Sequence, residues 1–218
     1  MMGLLVVLII GQVGGIGGYT AGICRTPGSS VNGELSKLGM SEVSMLFMQG
    51  GAGYSLVNKV LVGGSGVGGG VKRSNDTLEV AYGVGGGYFE LGYALKLSKA
   101  VYPFLMLGIG GFSEDVEIRR KIHDVSWDSV WNNPLREVKI SRGSFSVAPS
   151  VGVLIFPSGS FAGIMLKATF NTIFSEGWSF GDGTELSGNP SSPLGYATLN
   201  ATIVFGGISS GRENKTNH

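Results

Sequence analysis

Bulky apolar residues recur at every second position through most of this chain, and no other feature constrains the fold as strongly. Side chains alternate between faces with period two on a strand and with period 3.6 on a helix, so only strands keep such residues on one side. Phe145, Val147, Val151, Val153 and Ile155 share one face, opposed by Ser144, Ser146, Ala148, Ser150 and Gly152. Ile164, Leu166, Ala168 and Phe170 oppose Lys167, Thr169 and Asn171, and Leu199, Ala201, Ile203 and Phe205 oppose Thr198, Asn200 and Thr202. The pattern predicts eight strands, at about 13–23, 45–56, 59–72, 76–97, 100–119, 143–157, 160–174 and 193–208. Turn-forming residues stand between several of them, at Asn58, Asn75-Asp76 and Pro157-Ser158-Gly159. A helix is expected only at Gly33–Leu38, within the first long connection.

The expected fold is therefore all-β: one antiparallel up-and-down closed β-barrel of about eight strands, with one short helix, in a single domain over residues 1–218. Residues 1–12 hold the run Leu4 to Ile10, too short for a membrane helix, and read either as a truncated export signal or as the start of a strand. Residues 209–218 form a polar tail. The lone Cys24 excludes an intrachain disulfide and a cysteine-built metal site.

Glycine is the compositional outlier, 39 of 218 residues, without a collagen period. Pairing the predicted strands through their turns places Gly50-Gly51 beside Gly63-Gly64, then Gly85-Gly86, then Gly110-Gly111. Glycine weakens strands, so such a band needs a cause, and the sharp coiling of a narrow barrel supplies one. The fourth strand also changes parity. Its bulky residues are even-numbered before the glycines (Leu78, Val80, Tyr82, Val84) and odd-numbered after them (Phe89, Leu91, Tyr93, Leu95, Leu97). A β-bulge at Gly85-Gly86-Gly87 is the expected cause, with a hairpin turn there as the alternative.

Charged residues are only 14% of the chain, and few fall in the central parts of the strands: Glu79, Glu90, Lys96 and Lys167. The charges cluster instead in the connections, above all between 113 and 142, where twelve of them fall in a stretch read here mainly as a loop. A water-soluble barrel spreads Lys and Glu over its surface. A bulky apolar face opposed by a small, mildly polar one suits a barrel with lipid outside and polar side chains in its lumen. On that reading Glu79, Glu90, Lys96 and Lys167 face the lumen. The long connections 24–44, 120–142 and 175–192 all fall at one end of an up-and-down barrel, as in outer-membrane barrels.

The segments Gly87-Tyr88-Phe89-Glu90-Leu91-Gly92-Tyr93-Ala94-Leu95, Val101 to Gly110 and Gly195 to Phe205 carry a resemblance to small eight-stranded outer-membrane β-barrel proteins. The repeated Gly-Gly-x-Gly-Tyr motif, here Gly50-Gly51-Ala52-Gly53-Tyr54, is similar to glycine-rich β-proteins without a characterised function. Membrane barrels of this family usually end on an aromatic residue, whereas Phe205 is followed by thirteen more residues. The resemblance implies a site in the cell envelope, in the outer membrane, with the lipid bilayer as partner.

Catalytic chemistry is not expected. His123, Asp124, Ser126 and Asp128 lie close enough in sequence to imitate a hydrolytic set, but a solvated charged loop is the plainer reading. Gly63 to Gly68 lacks the Gly-Lys-Ser/Thr and helix of a phosphate loop, and Asp182-Gly183-Thr184-Glu185 lacks enough ligands for calcium. Neither a metal nor a cofactor is expected, and a net charge of +1 gives no footprint for nucleic acid. Trp127 and Trp131 are the loop residues singled out for a contact, with packing over the barrel mouth as the first expectation. The expected function is a non-enzymatic outer-membrane barrel with a structural, adhesive or narrow-pore role. Two alternatives stand beside it: a soluble or secreted barrel holding a lipid or other apolar ligand, and a self-associating extracellular β-subunit.

Overall fold

The computed structural model describes residues 13–25, 30–121, 137–157, 159–175, 177–187 and 195–209. Eight long strands form the wall: β1 (Val13–Arg25), β2 (Met45–Val57), β3 (Val60–Ser74), β4 (Leu78–Ala94), β5 (Val101–Arg120), β6 (Glu137–Ile155), β7 (Ala162–Ser175) and, after a two-residue β8 (Ser179–Phe180), β9 (Gly195–Ser209). Each pairs antiparallel with its sequence neighbour in the wall, β1 pairs with β9, and the sheet closes into a barrel. β8 pairs with Ile140 and Ser141, where β6 runs on beyond its last pairing with β7 at Ser144. The helix α1 (Ser30–Lys37) falls in the first long connection as expected, and Gly39, at φ 70°, ends it. Among the described residues no helix is long and apolar enough to cross a membrane.

The register fixes the shape. From Val13 the paired residues run Val57, Val60, Tyr93, Leu105, Val151, Ala168 and Leu199, and return to β1 at Ile23, ten residues above the start. Eight strands with that stagger tilt by about 40° and enclose a ring about 16 Å across, measured between backbones. Side chains, not a channel, fill a ring of this width. Every residue of that circuit is apolar and exposed on the outer face.

The bulge expected at Gly85-Gly86-Gly87 is absent. β4 pairs without interruption, Gly85 with Gly68, Gly86 with Val67 and Gly87 with Gly66, and its ladder with β5 is equally regular. No hairpin turn interrupts the strand either. Even-numbered residues face inward along all of β4, so what changes at the glycines is which face carries the bulk. Val80, Tyr82 and Val84 are buried inside, whereas Phe89, Leu91 and Tyr93 are exposed outside. Parity in the sequence followed side-chain size, and size changed faces.

The glycine band also has a different register. Gly51 lies opposite Gly66, not Gly63-Gly64, and the row continues Gly87 and Gly111, flanked by Tyr19 and Phe145. Of the eight glycines expected in one band, Gly51 and Gly111 fall in this outer row. Gly50, Gly63 and Gly110 face inward, where an added Cβ would come within about 2 Å of backbone oxygens on adjacent strands (1.9, 2.0 and 2.0 Å). Gly86 also faces inward, where a Cβ would meet the rings of Tyr88 and Phe112. Gly64 and Gly85 face outward, one row on either side of Gly66. Close approach of coiled strands thus accounts for Gly50, Gly63 and Gly110, and for Gly64, whose Cβ would lie 2.7 Å from the Tyr88 carbonyl oxygen, but not for Gly51, Gly85 or Gly111.

Two apolar clusters fill the ends of the lumen. The lower, at the end with the short turns, contains Ile16, Tyr54, Leu61, Tyr102, Phe104 and Leu154. The upper contains Cys24, Leu46, Met48, Tyr82, Phe112 and Trp178, and Leu35, Met40 and Val43 from α1 and its following turn join it. Asn32 ties this lid down, donating from Nδ2 to the Val43 carbonyl at 3.0 Å and accepting from the Val43 N–H at 2.8 Å.

Candidate functional site

The candidate site is the polar layer between the two clusters, where charged groups are held away from water. β4 sends Glu90 inward and β7 sends Lys167 inward from across the lumen; they are 1% and 5% exposed. The Lys167 ammonium donates to Glu90 Oε1 at 2.7 Å and Oε2 at 3.0 Å, to the Tyr54 hydroxyl at 3.0 Å and to Ser65 Oγ at 3.1 Å. Tyr54 in turn donates to Glu90. The three protons of the ammonium and both carboxylate oxygens are thus occupied, which is what burial of an ion pair requires. The pair ties β4 to β7 across the lumen.

A second group lies higher, inside the upper cluster. Glu114 and Arg142 face each other directly across the β5–β6 ladder and form a buried ion pair. Tyr82 donates to Glu114 at 2.5 Å, and Tyr196 donates to the same carboxylate. Phe112 stacks on Tyr196 with ring centroids 5.0 Å apart, and the Arg142 guanidinium lies 4.9 Å over the Trp178 ring. The sequence reading missed this group, because it assigned Glu114 and Arg142 to a charged loop. The available signal was alternation: Glu114, Val116 and Ile118 share a parity with Phe112.

Of the four charges expected in the lumen, the structure brings together two, Glu90 and Lys167. Glu79 shares the outward face of β4 and pairs with Lys72 at 3.3 Å, and Lys96 is exposed in the turn after β4. Lys96 follows the last paired residue of its strand, so alternation no longer governs it. Trp127 and Trp131 lie outside the described residues, as do His123, Asp124, Ser126 and Asp128. The Asp182 carboxylate accepts from the Thr184 N–H at 2.9 Å and caps the turn. Among the described residues no cluster of potential ligands is suited to a metal ion.

The exterior divides at one level. Below it, exposed Leu105, Leu107 and Ile109 on β5, Ile164, Leu166 and Phe170 on β7, and Leu199, Ile203 and Phe205 on β9 form an apolar belt. On β6 the belt runs from Phe145 to Ile155, about 25 Å along the axis at a 40° tilt. Above it stands a charged collar. Arg119 meets Glu137 at 3.0 Å and also Glu117, while Lys72, Asp115, Glu117 and Lys139 edge a shallow cleft of about 390 Å³ floored by Gly70 and Gly83.

Apolar belt, charged collar and salt-bridged lumen together define a small closed eight-stranded β-barrel. Solved structures with a similar fold include Ail, the attachment invasion locus protein of Yersinia pestis, at TM-score 0.47 and 12% identity over 90% of this chain and 100% of that one. They also include Neisserial surface protein A, at TM-score 0.48 and 11% identity over 89% and 96% of the two chains. The outer membrane protein OprG from Pseudomonas aeruginosa is similar at TM-score 0.44 and 13% identity over 92% and 96%. No protein-family model and no curated protein matches the chain.

Proposed function

We propose that the chain is an outer-membrane-type barrel that anchors a closed, loop-bearing platform in the cell envelope, with a structural or adhesive role and no catalytic one. The observation that carries this reading is the unbroken outward circuit of apolar residues from Val13 round to Ile23. Its height of about 25 Å is that of the lipid-facing band of outer-membrane barrels. A soluble ligand carrier would turn its bulk inward along the whole barrel. Here the lower wall carries bulk on both faces, with Phe104 and Leu154 inside and Leu105, Leu107 and Ile109 exposed outside, and the polar layer leaves a space of only about 20 Å³, too small for an apolar ligand.

The two apolar clusters also argue against the narrow-pore role. Ions crossing the lumen would have to pass both of them and break the Glu90–Lys167 pair between. The chain should refold only when detergent or lipid is present; a folded, soluble monomer in plain buffer would overturn the membrane reading. In planar bilayers the refolded barrel should leave the membrane insulating. A steady single-channel current would replace the platform role with the pore.

A further inference from the structure

The cleft in the charged collar continues downward as a slot without side chains. Lys72, Ala81, Glu117 and Lys139 stand in one row across β3, β4, β5 and β6. In the row below, Gly70 and Gly83 lie beside Asp115. Farther down, the pairs Gly68–Gly85 and Gly66–Gly87 keep the outer faces of β3 and β4 bare until Phe89 stands out from β4. From Lys72 to Gly66 this is roughly 20 Å of strand. None of these glycines has a positive φ, and a Cβ added at Gly66, Gly83, Gly85 or Gly87 would meet no atom closer than 3.6 Å. Neither backbone conformation nor crowding calls for glycine at those four positions, although glycine weakens a strand. What they provide is a floor on which an outside molecule lies directly against backbone.

We infer that the slot is a binding site for one lipid of the bilayer whose head group carries both a phosphate and a primary ammonium. The slot is continuous with the apolar belt. An acyl chain on the floor at Gly87 and Gly85 stays in hydrocarbon while its head reaches the cleft of about 390 Å³. The charges of the cleft select the head group. Among the described residues Asp115 and Lys139 have no ion-pair partner, whereas Glu117 is matched by Arg119 and Lys72 by Glu79. Asp115 is half-buried and can accept from an ammonium; Lys72 and Lys139, at the two edges, can donate to a phosphate. A head that is only anionic brings like charge to Asp115, and a quaternary ammonium has no N–H to give it. The site rests on the belt facing lipid, as proposed above, and not on what the loops bind.

Native mass spectrometry of the full chain, folded in detergent micelles, tests the site with phosphatidylethanolamine, phosphatidylglycerol and phosphatidylcholine of equal chain length. One phosphatidylethanolamine should stay bound per barrel, in about three- to fivefold preference over the other two. Soluble phosphoethanolamine, without chains, should not bind at the same concentration. Asp115→Asn should erase the preference, and Gly85→Leu with Gly87→Leu should remove the bound lipid without lowering the unfolding midpoint of the barrel. Should the leucine variant not fold, the Asp115→Asn result carries the test. Equal retention of the three lipids, retention unchanged in the variants, or a second copy of the chain seated on the slot in place of lipid would overturn the site. A chain that forms no barrel in detergent or lipid would instead overturn the membrane reading, and the site with it.

Discussion

The lower and upper parts of the barrel are built from the same strands and obey opposite rules. Below the level of Gly87, β4 turns Phe89, Leu91 and Tyr93 outward and Glu90 inward. Above it, the same strand turns Val80, Tyr82 and Val84 inward and Glu79 outward. On β5 the outward residues pass from Leu105, Leu107 and Ile109 to Asp115 and Glu117, while Glu114 and Val116 are buried inside. The lower part has the layout of a protein whose solvent is hydrocarbon, and the upper part that of one whose solvent is water. One wall thus crosses two solvents, and the strands extend beyond the bilayer without leaving the barrel.

The largest effect expected of the upper part comes from its buried pair. Arg142→Met leaves Glu114 charged and unmatched inside an apolar cluster, and should cost about 3–5 kcal/mol in detergent unfolding. Adding Glu114→Gln should recover much of that loss; no recovery would mean that the guanidinium acts by packing on Trp178. Next in size is the belt. Leu107→Lys should cost about 2–4 kcal/mol in lipid vesicles, whereas Asp115→Lys, on the same face of β5 in the collar, should stay within about 0.5 kcal/mol. Equal costs at the two positions would erase the boundary between belt and collar.

The inner and outer glycines separate at a smaller scale. Gly110→Ala would put a Cβ 2.0 Å from the Gly87 carbonyl oxygen and should destabilise by about 1–3 kcal/mol. Gly87→Ala meets open space outside the wall and should be neutral, or stabilising by up to about 1 kcal/mol. The smallest effect belongs to the rim. Glu79→Gln breaks an exposed pair with Lys72 and should cost less than about 1 kcal/mol, a loss that disappears in high salt.

Strand number and order were legible because alternation survives in either solvent: β2 (Met45–Val57) and β7 (Ala162–Ser175) fall within a residue or two of the predicted spans. The inward placement of Glu90 and Lys167 was legible for the same reason, as charges on the small-residue face of strands with bulky opposite faces. Alternation separates two faces without saying which is inside, and here the answer changes partway up the wall. That reversal on β4 imitated a bulge, and it hid Glu114 and Arg142 among residues read as a loop. The glycine register failed because index sums taken from turns shift when a turn is misjudged by a residue or two. A glycine row gives no side chain by which to correct the error.

The circuit that leaves β1 at Val13 and returns at Ile23 makes the wall a ring without a free end. In an open sheet, one added residue slides the outermost strand and the disturbance runs off the edge. Here the slack has no edge to reach. A single insertion within β7 would have to swap belt and lumen side chains along half of that strand, change the stagger of the entire ring, or be thrown out of the ladder as a bulge. Length variation is therefore least costly in the connections. The barrel acts as a fixed frame on which the long loops are free to be rewritten.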